Sequence, residues 1–380
     1  MIYSNHITPE LRELRKHFVA GGFDIRLVGG VVRDLLTNNP VKDVDLCTDA
    51  TPAEQIEIYQ QQGIRWIETG LQHGTVTVVL NQVPYEITSL RIDAETDGRH
   101  ATVKYTRDWV EDLARRDLTI NAMSMTFDGD LIDPFDGFTD LQNNVVRFVG
   151  DPNERIREDY LRILRWFRFQ GRFGTWCSIN DATLVAINEN APGLKNISRE
   201  RVWSEIRRIV QHSSASVIMQ EMWLTRVGRF IDLNRWNTNT FNQAKVWTNE
   251  PELLMAAGLN WDLSTVSMMA NKWKWSNAER AHAEWMSKHL FEDCDLRRLI
   301  AVDHAPREWV AELAALEQRN GWEQNALVNW VFPDFPVNGN DLIQQGLRPG
   351  RVIGETLSRL RNAWAESGYV ATKEDLIKMI

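Results

Sequence analysis

LVGGVVRDLLTNNPVKDVDL, residues 27–46, carries two patterns that set the character of the first third of the chain. A short apolar strand over Ile25–Val28 runs into Gly29-Gly30, and a helix over Val31–Leu36 follows. Glycines at a strand-to-helix turn let backbone N–H groups approach a phosphate, and a helix N-terminus favours an anion there. Arg33 lies in the first turn, where a guanidinium also reaches phosphate oxygens. Val41–Leu46 then alternates as a strand, with Asp43 and Asp45 two residues apart. A period of two puts both carboxylates on one face. Hard divalent cations such as Mg²⁺ take such oxygens together with phosphate oxygens. Each element alone has a plain alternative: a structural turn for the glycines, a solvated strand edge for the acids. Their closeness in the chain favours a phosphate-and-metal site.

Outward from this stretch the pattern stays mixed. PELRELRKHFVA (Pro9–Ala20) reads as an amphipathic helix, with Thr8 as N-cap, Pro9 at the first position and Gly21-Gly22 as its end. Pro52–Gln61 is a second helix. Thr75–Leu80 and Tyr85–Ser89 are β-branched runs joined by Asn81–Pro84, which predicts a hairpin. Glu86 alternates with Tyr85 and Ile87, so it can share the face of the aspartates, where a third acid helps hold a second metal or orient an attacking hydroxyl. A lone strand glutamate is otherwise simply solvated. Asp93–Lys104 is polar and without apolar period, and reads as a mobile loop.

EDLARRDLTINAMSM (Glu111–Met125) is predicted helical. Asp117 and Asn121 then lie one turn apart on one face, an acceptor and an amide suited to a pair of ribose hydroxyls. Arg115 and Arg116 beside them are candidate triphosphate contacts. The plainer reading is an N-cap among surface arginines. From about residue 150 the strand signal vanishes. EDYLRILRWFRF (Glu158–Phe169) spaces Asp159, Arg162, Arg165 and Arg168 every third residue. On a helix Asp159, Arg162 and Arg165 share a face, while Arg168 rotates away. Asp159 can accept from an exocyclic amine and Arg162 can donate to the neighbouring ring acceptor. Cytosine and adenine present that pair; uracil and guanine leave buried polar groups unmatched. A surface salt-bridge ladder is the alternative. Ser198–His212 is another helix with Ser198 as N-cap, and Pro333–Gly339 reads as a linker. The fold class is therefore α+β: an N-terminal mixed β-sheet head followed by helices only.

Composition narrows the classes of protein. The chain has 380 residues, 43% apolar and 25% charged, which excludes collagen-like, disordered and low-complexity proteins. No apolar run approaches the ~20 residues of a membrane helix. The start resembles neither a signal nor a transit peptide, and Cys47, Cys177 and Cys294 stand far apart, without a disulfide framework or a cysteine zinc site. Both point to a reducing, cytoplasmic setting. The net charge of −9 is uneven: residues 1–150 carry −9, residues 151–212 +3 and residues 213–380 −3. An acidic first third beside a basic middle suits a carboxylate-rich site next to an anion-binding stretch. Most of the 16 tryptophans fall after residue 170, where core packing is the ordinary use and base stacking the sharper one.

Taken jointly, the four strings resemble the class II tRNA nucleotidyltransferases, the CCA-adding enzymes of the polymerase-β-like superfamily. The family's first motif is matched by Gly29, Gly30, Arg33, Asp34, Asp43 and Asp45, and its ribose motif by Arg115, Arg116, Asp117 and Asn121. DPFDG (Asp133–Gly137) matches its turn motif, Glu158, Asp159 and Arg162 its EDxxR motif, and ISRERVWSEI (Ile197–Ile206) the next helical motif. Gly346–Tyr369 resembles the family's tail, whereas about 215–330 shows only helicity. The resemblance implies a catalytic head (1–148), a base-selecting neck (149–212), a body (213–332) and a tail (333–380) that grip the tRNA elbow and acceptor stem. It implies stepwise addition of C, C and A from CTP and ATP, with Mg²⁺ on Asp43 and Asp45 and help from Glu86. Asp93–Lys104 corresponds to the loop with which relatives switch from C to A. An A-adding enzyme or poly(A) polymerase is the near alternative, and a catalytically silent tRNA-binding module the distant one.

Overall fold

A computed structural model describes residues 7–41, 43–68, 70–96, 101–175, 181–292, 295–317, 331 and 333–380. Packing divides the chain into two compact units, Met1–Asn234 and Arg235–Ile380. The first unit opens with α1 (Pro9–Ala20), where the Thr8 hydroxyl accepts the Leu11 N–H at 3.2 Å. Leu11, Leu14 and Phe18 recur at helical spacing, and all three are buried against the sheet. β1 (Ile25–Val28), α2 (Gly30–Leu36), β2 (Leu46–Thr48), α3 (Pro52–Gln61), β3 (Arg65–Ile67), β4 (Thr75–Leu80) and β5 (Val83–Ser89) follow.

β8 (Ser124–Met125) and β9 (Leu131–Ile132) complete a seven-stranded sheet of order β3-β4-β5-β2-β1-β8-β9. β2 pairs parallel with β5, while β1 pairs antiparallel with both β2 and β8, so the sheet is mixed. The β4–β5 hairpin is as predicted, but its turn is shorter. Asn81 and Gln82 both take positive φ (46° and 66°), the two-residue turn that matches strand twist, and Pro84 joins the strand.

Three local expectations change. First, Asp43 and Asp45 precede their strand instead of lying in it. β2 begins at Leu46, and the ladder extends back only to the Asp45 carbonyl, which accepts the Val28 N–H at 3.1 Å. Its partner β1 ends there because Gly29, at φ 68°, turns the chain into α2. Second, part of the segment read as a mobile loop is a hairpin. β6 (Arg91–Thr96) pairs with β7 (Ala101–Tyr105), with a bulge between Asp93 and Glu95; residues 97–100 lie outside the described residues. A backbone ladder needs no apolar period, which is why composition concealed it. Third, the helix predicted over Glu111–Met125 is only α4 (Trp109–Ala114), followed by a 3₁₀ turn at Thr119–Asn121. Leu118 is extended and bridges Phe148, and the Val149 N–H donates to the Asp117 carbonyl at 3.1 Å. Tertiary pairing here overrides helix propensity.

Helices take over from α5 (Gly137–Gln142), and among the described residues no strand lies beyond Ile132. The run predicted as one helix over Glu158–Phe169 is split between α6 (Pro152–Glu158) and α7 (Arg162–Phe173), with Asp159 extended at φ −153° between them. α8 (Asp181–Asn190), α9 (Arg199–Gln211) and α10 (Ala215–Leu224) complete the first unit's helices. Ser198 stands at the N-cap of α9 in extended conformation, without a side-chain capping bond.

The second unit contains α11 (Thr238–Lys245), α12 (Pro251–Gly258), α13 (Leu263–Lys272), α14 (Asn277–His289), α15 (Leu296–Ala301) and α16 (Arg307–Leu316). α12 is buried along its whole length, and its apolar run PELLMAAG is the reason. After Pro333 come α17 (Gly339–Gln344), α18 (Arg351–Glu366) and α19 (Lys373–Ile377), with their own core of Val337, Leu342, Leu360, Trp364 and Leu376. The predicted linker is thus partly structural, since Phe335 and Val337 pack into that core. Tryptophans serve mainly as packing: Trp166, Trp273 and Trp364 are fully buried, while Trp223 and Trp247 remain exposed.

Candidate active site

A cavity of about 420 Å³ opens in the first unit, within the ~300–1,000 Å³ usual for small-molecule sites. Gly30, Arg33 and Asp45 line it from the sheet side. Arg115, Arg116, Asp117 and Asn121 line it from the segment after α4. Asp159, just before α7, and Arg162, Arg165 and Phe169 on α7 close it. Three stretches far apart in sequence thus meet around one space. Gly29, Asp43, Glu86 and Arg168 are not among its lining residues.

The glycine turn works differently from its predicted role. The Gly29 N–H donates to the Met123 carbonyl at 3.0 Å, so it is committed to the fold and not to a phosphate. Glycine is needed here for two other reasons. Its φ is positive, and a Cβ would lie 2.5 Å from Nη1 of Arg116. Arg33 is also more enclosed than expected for a phosphate contact. Its guanidinium lies over the rings of Phe169 and Phe173, 5.0 and 4.8 Å from their centroids. It pairs with Asp34 at 3.0 Å and donates to the Asn121 side-chain oxygen. Burial lowers its pKa, against the pull of Asp34. Arg172 reaches the same Asp34 at 3.1 Å, tying α7 to α2.

Asp43, Asp45 and Glu86 all reach solvent. The β2–β5 register pairs Leu46 with Ile87, so one step back the parallel ladder sets Asp45 beside Glu86. Loss of hydration raises the Asp45 carboxyl above its ordinary range. Arg116 opposes the shift, and the charges of Asp43 and Glu86 add to it. Among the described residues, no group of three His, Cys, Asp or Glu stands at metal-holding spacing. The donors nevertheless suit a hard cation that completes its shell with substrate oxygens, since Mg²⁺ is commonly held by one or two carboxylates plus phosphates. Mutually repelling acids also favour a cation between them.

Asp117 is 7% exposed and accepts from Arg165 Nε at 2.6 Å and from the Asn121 amide at 3.3 Å. The predicted Asp117–Asn121 pair therefore exists, though a 3₁₀ turn and not a helical face brings it together. Burial alone would raise the Asp117 carboxyl, but Arg165 prevails and holds it below its usual range. Asp112, invisible to the motif reading, is fully buried and binds both Arg115 (2.8 Å) and Arg116 (3.3 Å).

Asp159 and Arg162 do not form the helical pair expected of them, because the chain breaks between α6 and α7. Asp159 accepts from Arg201 at 2.6 Å and from the Leu161 N–H at 3.1 Å. Arg162 Nη1 donates to Glu158 and, at 3.0 Å, to the Arg155 carbonyl, while Nη2 donates to the Arg115 carbonyl at 3.1 Å. Both still line the cavity. Arg168 turns away as its rotation predicts. It forms an ion pair with buried Glu205 at 2.7 Å, and burial pushes its pKa down to about 10 despite that partner. Arg201 and Glu205 were also missed. They lie one turn apart on α9 with opposite charge, opposite Asp159 and Arg168, and that i,i+4 spacing within ISRERVWSEI was the available signal. Phe169 was not singled out by the sequence, although it stands among Arg165, Arg168 and Arg172.

An acid-bearing mixed sheet facing an arginine-lined cavity defines a nucleotidyltransferase head, and the family described as Poly A polymerase head domain matches residues 25–147. A second, described as Probable RNA and SrmB- binding site of polymerase A, matches residues 178–231. The chain is 36% identical to the Mus musculus protein named CCA tRNA nucleotidyltransferase 1, mitochondrial, covering 100% of this chain and 91% of that protein. It is 32% identical to the CCA-adding enzyme of Pediococcus pentosaceus, over 90% of this chain and 89% of that one. The crystal structure of the Bacillus stearothermophilus CCA-adding enzyme in complex with CTP superposes with a TM-score of 0.77 at 25% identity, covering 98% of each chain. The chain belongs to the class II CCA-adding enzymes, the tRNA nucleotidyltransferases. Among the described residues no helix is long and apolar enough to cross a membrane.

Proposed function

We propose that this protein adds C, C and A stepwise to tRNA 3′ ends from CTP and ATP, without a nucleic-acid template. The observation that carries this reading is the convergence of Asp45, the Arg115–Asn121 segment and the Asp159–Arg165 segment on one cavity. In each step the tRNA 3′-hydroxyl oxygen bonds to the α-phosphorus of the nucleotide. The bond to the β-phosphate oxygen breaks, pyrophosphate leaves, and the hydroxyl proton passes to solvent.

Asp43 and Asp45 would hold Mg²⁺, with Glu86 assisting. When bound, the metal lowers the pKa of the hydroxyl and neutralises triphosphate charge. Arg115 and Arg116 would take the triphosphate, with Gly29, Gly30 and Arg33 shaping its seat. Asp117 and Asn121 would address the ribose. Arg165 and Arg168 brace the neck side of the site.

Base selection falls to Asp159 and Arg162, and hydrogen-bonding capacity supports it. A carboxylate offers about four acceptor sites, of which Arg201 and the Leu161 N–H take two. Of the ~5 guanidinium N–H groups, protein acceptors engage two on Nη1 and one on Nη2 of Arg162. Each group can therefore meet a base without giving up its protein partners. The division into head (1–148), neck (149–212), body (213–332) and tail (333–380) belongs to the same reading, supported by the end of the sheet and the separate tail core. Its compartment we read as cytoplasmic from the cysteine usage, although the mouse relative bears a mitochondrial name.

The test is incubation with tRNAs trimmed by one, two or three nucleotides, each nucleotide supplied separately and products sized on a gel. CTP should extend the two shorter substrates and stop before A, and ATP should complete only the tRNA ending in CC. Incorporation of A alone, or long A tracts, would replace the proposal with the A-adding or poly(A) reading.

A further inference from the structure

We propose that Asp112 is a positioning residue that sets Arg115 and Arg116, two of the arginines that line the cavity, and couples their setting to the root of the β6–β7 hairpin. This rests on the nucleotide-addition reading and adds a control point to it. Asp112 is 0% exposed, so its charge is held entirely by protein groups. Its Oδ1 accepts from Arg115 Nε at 2.9 Å and also from the backbone N–H of Arg91 at 3.2 Å. Its Oδ2 accepts from Arg116 Nη2 at 3.3 Å. Arg91 is the first residue of β6, where the two-stranded hairpin leaves the main sheet.

The same root is tied down on both sides. The Leu90 N–H donates to the Thr48 carbonyl at 2.8 Å, and the Thr106 N–H to the Leu90 carbonyl at 3.0 Å. One buried carboxylate therefore joins the hairpin's first peptide to the Arg115 and Arg116 guanidinium groups, two of the five that line the cavity. A buried anion with three donors keeps its position only while all three stay in place, because an unmatched buried charge is costly. Tilting the hairpin at Arg91 withdraws a donor from the oxygen that orients Arg115. Resetting the arginines on nucleotide binding pulls on Arg91 in turn. Asp117 and Asn121, by contrast, reach α7 and α2.

The experiment uses the full chain and single-nucleotide incorporation, CTP on tRNA lacking all three terminal residues and ATP on tRNA ending in CC. Asp112→Asn keeps the shape but halves the acceptor set and removes the charge. Its KM for both nucleotides should rise by about 10-fold or more while kcat changes by less than about threefold, the signature of lost ground-state binding. Arg91→Pro removes the donating N–H and the side chain and also fixes the local φ, while Arg91→Ala controls for the side chain and the melting temperature reports any backbone strain. Arg91→Pro should raise KM in the same way and Arg91→Ala should stay within about twofold of wild type. The double variant Asp112→Asn/Arg91→Pro should be no worse than Asp112→Asn alone, because both act through one oxygen.

Thermal melting accompanies each variant. A lower melting temperature with unchanged KM would reduce Asp112 to a structural group and overturn the proposal. Multiplying effects in the double variant would overturn the coupling to the hairpin. Should Asp112→Asn fail to fold, the Arg91→Pro against Arg91→Ala comparison decides alone. Absence of incorporation by the wild-type chain would instead refute the nucleotide-addition reading, a separate outcome.

Discussion

Glu205→Gln tests how α7 and α9 are held together. The Glu205 side chain is 5% exposed, 2.7 Å from Arg168 Nε and 3.9 Å from Arg165 Nη1. At the effective dielectric of ~20, two unit charges at the closer separation attract by about 6 kcal/mol before hydration is counted. Glutamine preserves the shape, so the change removes charge without opening a cavity. It leaves two guanidinium groups facing a neutral partner. Breaking a fully buried pair in this way costs ~3–5 kcal/mol. Arg168 retains 18% exposure and Arg165 33%, so water recovers part of the loss, and about 3 kcal/mol is the expected cost. Hydrogen exchange read by mass spectrometry on peptides from α7 and α9 isolates this region from the second unit. Their protected amides should exchange ~100-fold faster, the equivalent of that free energy for local opening. Exchange within about threefold of wild type would show that the pair contributes nothing beyond neutral packing, and the account of α9 as an electrostatic brace would fail.

Asp45→Asn should lower nucleotide incorporation by ~10³-fold or more, several kcal/mol of charge stabilisation, with circular dichroism unchanged; a wild-type rate would contradict the role of this carboxylate. Asp159→Ala should relax rejection of UTP relative to CTP by about 10-fold, because the mismatch no longer sets a carbonyl oxygen against an unmatched carboxylate. An unchanged CTP-to-UTP ratio in competition assays would remove the neck from base choice. The second unit should lose stability in mild alkali. His282 lies 3.0 Å from Glu252 and 2.9 Å from Glu312 and stacks on Trp309; burial would lower its pKa, but the two carboxylates prevail and raise it from 6.5 to about 9. A raised folded pKa contributes stability that is complete below about 6.5 and lost as pH climbs through about 9, up to ~3 kcal/mol in all. Urea midpoints of wild type and His282→Gln across that window should converge; parallel curves would exclude the histidine as the cause.

Much of the fold was legible because local rules agreed with the tertiary outcome. α1 runs over Pro9–Ala20 with the Thr8 cap in place, since capping and apolar spacing require no distant partner. The β4–β5 hairpin was equally readable from its β-branched runs. The errors cluster where long-range contacts overrule local preference. Leu118 leaves a helical sequence to bridge Phe148, and Asp159 breaks a strong helical period. The β6–β7 ladder escaped notice because its hydrogen bonds are backbone-borne.

The order of residues alone determined which chemical groups the protein owns and roughly which elements carry them: the acids near β2, the arginines before Asp117, the Asp159–Arg168 series. Folding decided which of these share a cavity and which serve one another. Asp45, Arg116 and Arg162 converge although they are remote in the chain, while Gly29 and Arg168 are committed to internal partners. Spacing specifies a face only within one helix or strand, whereas hydrogen-bond partners and hydration depend on whatever the rest of the chain brings alongside.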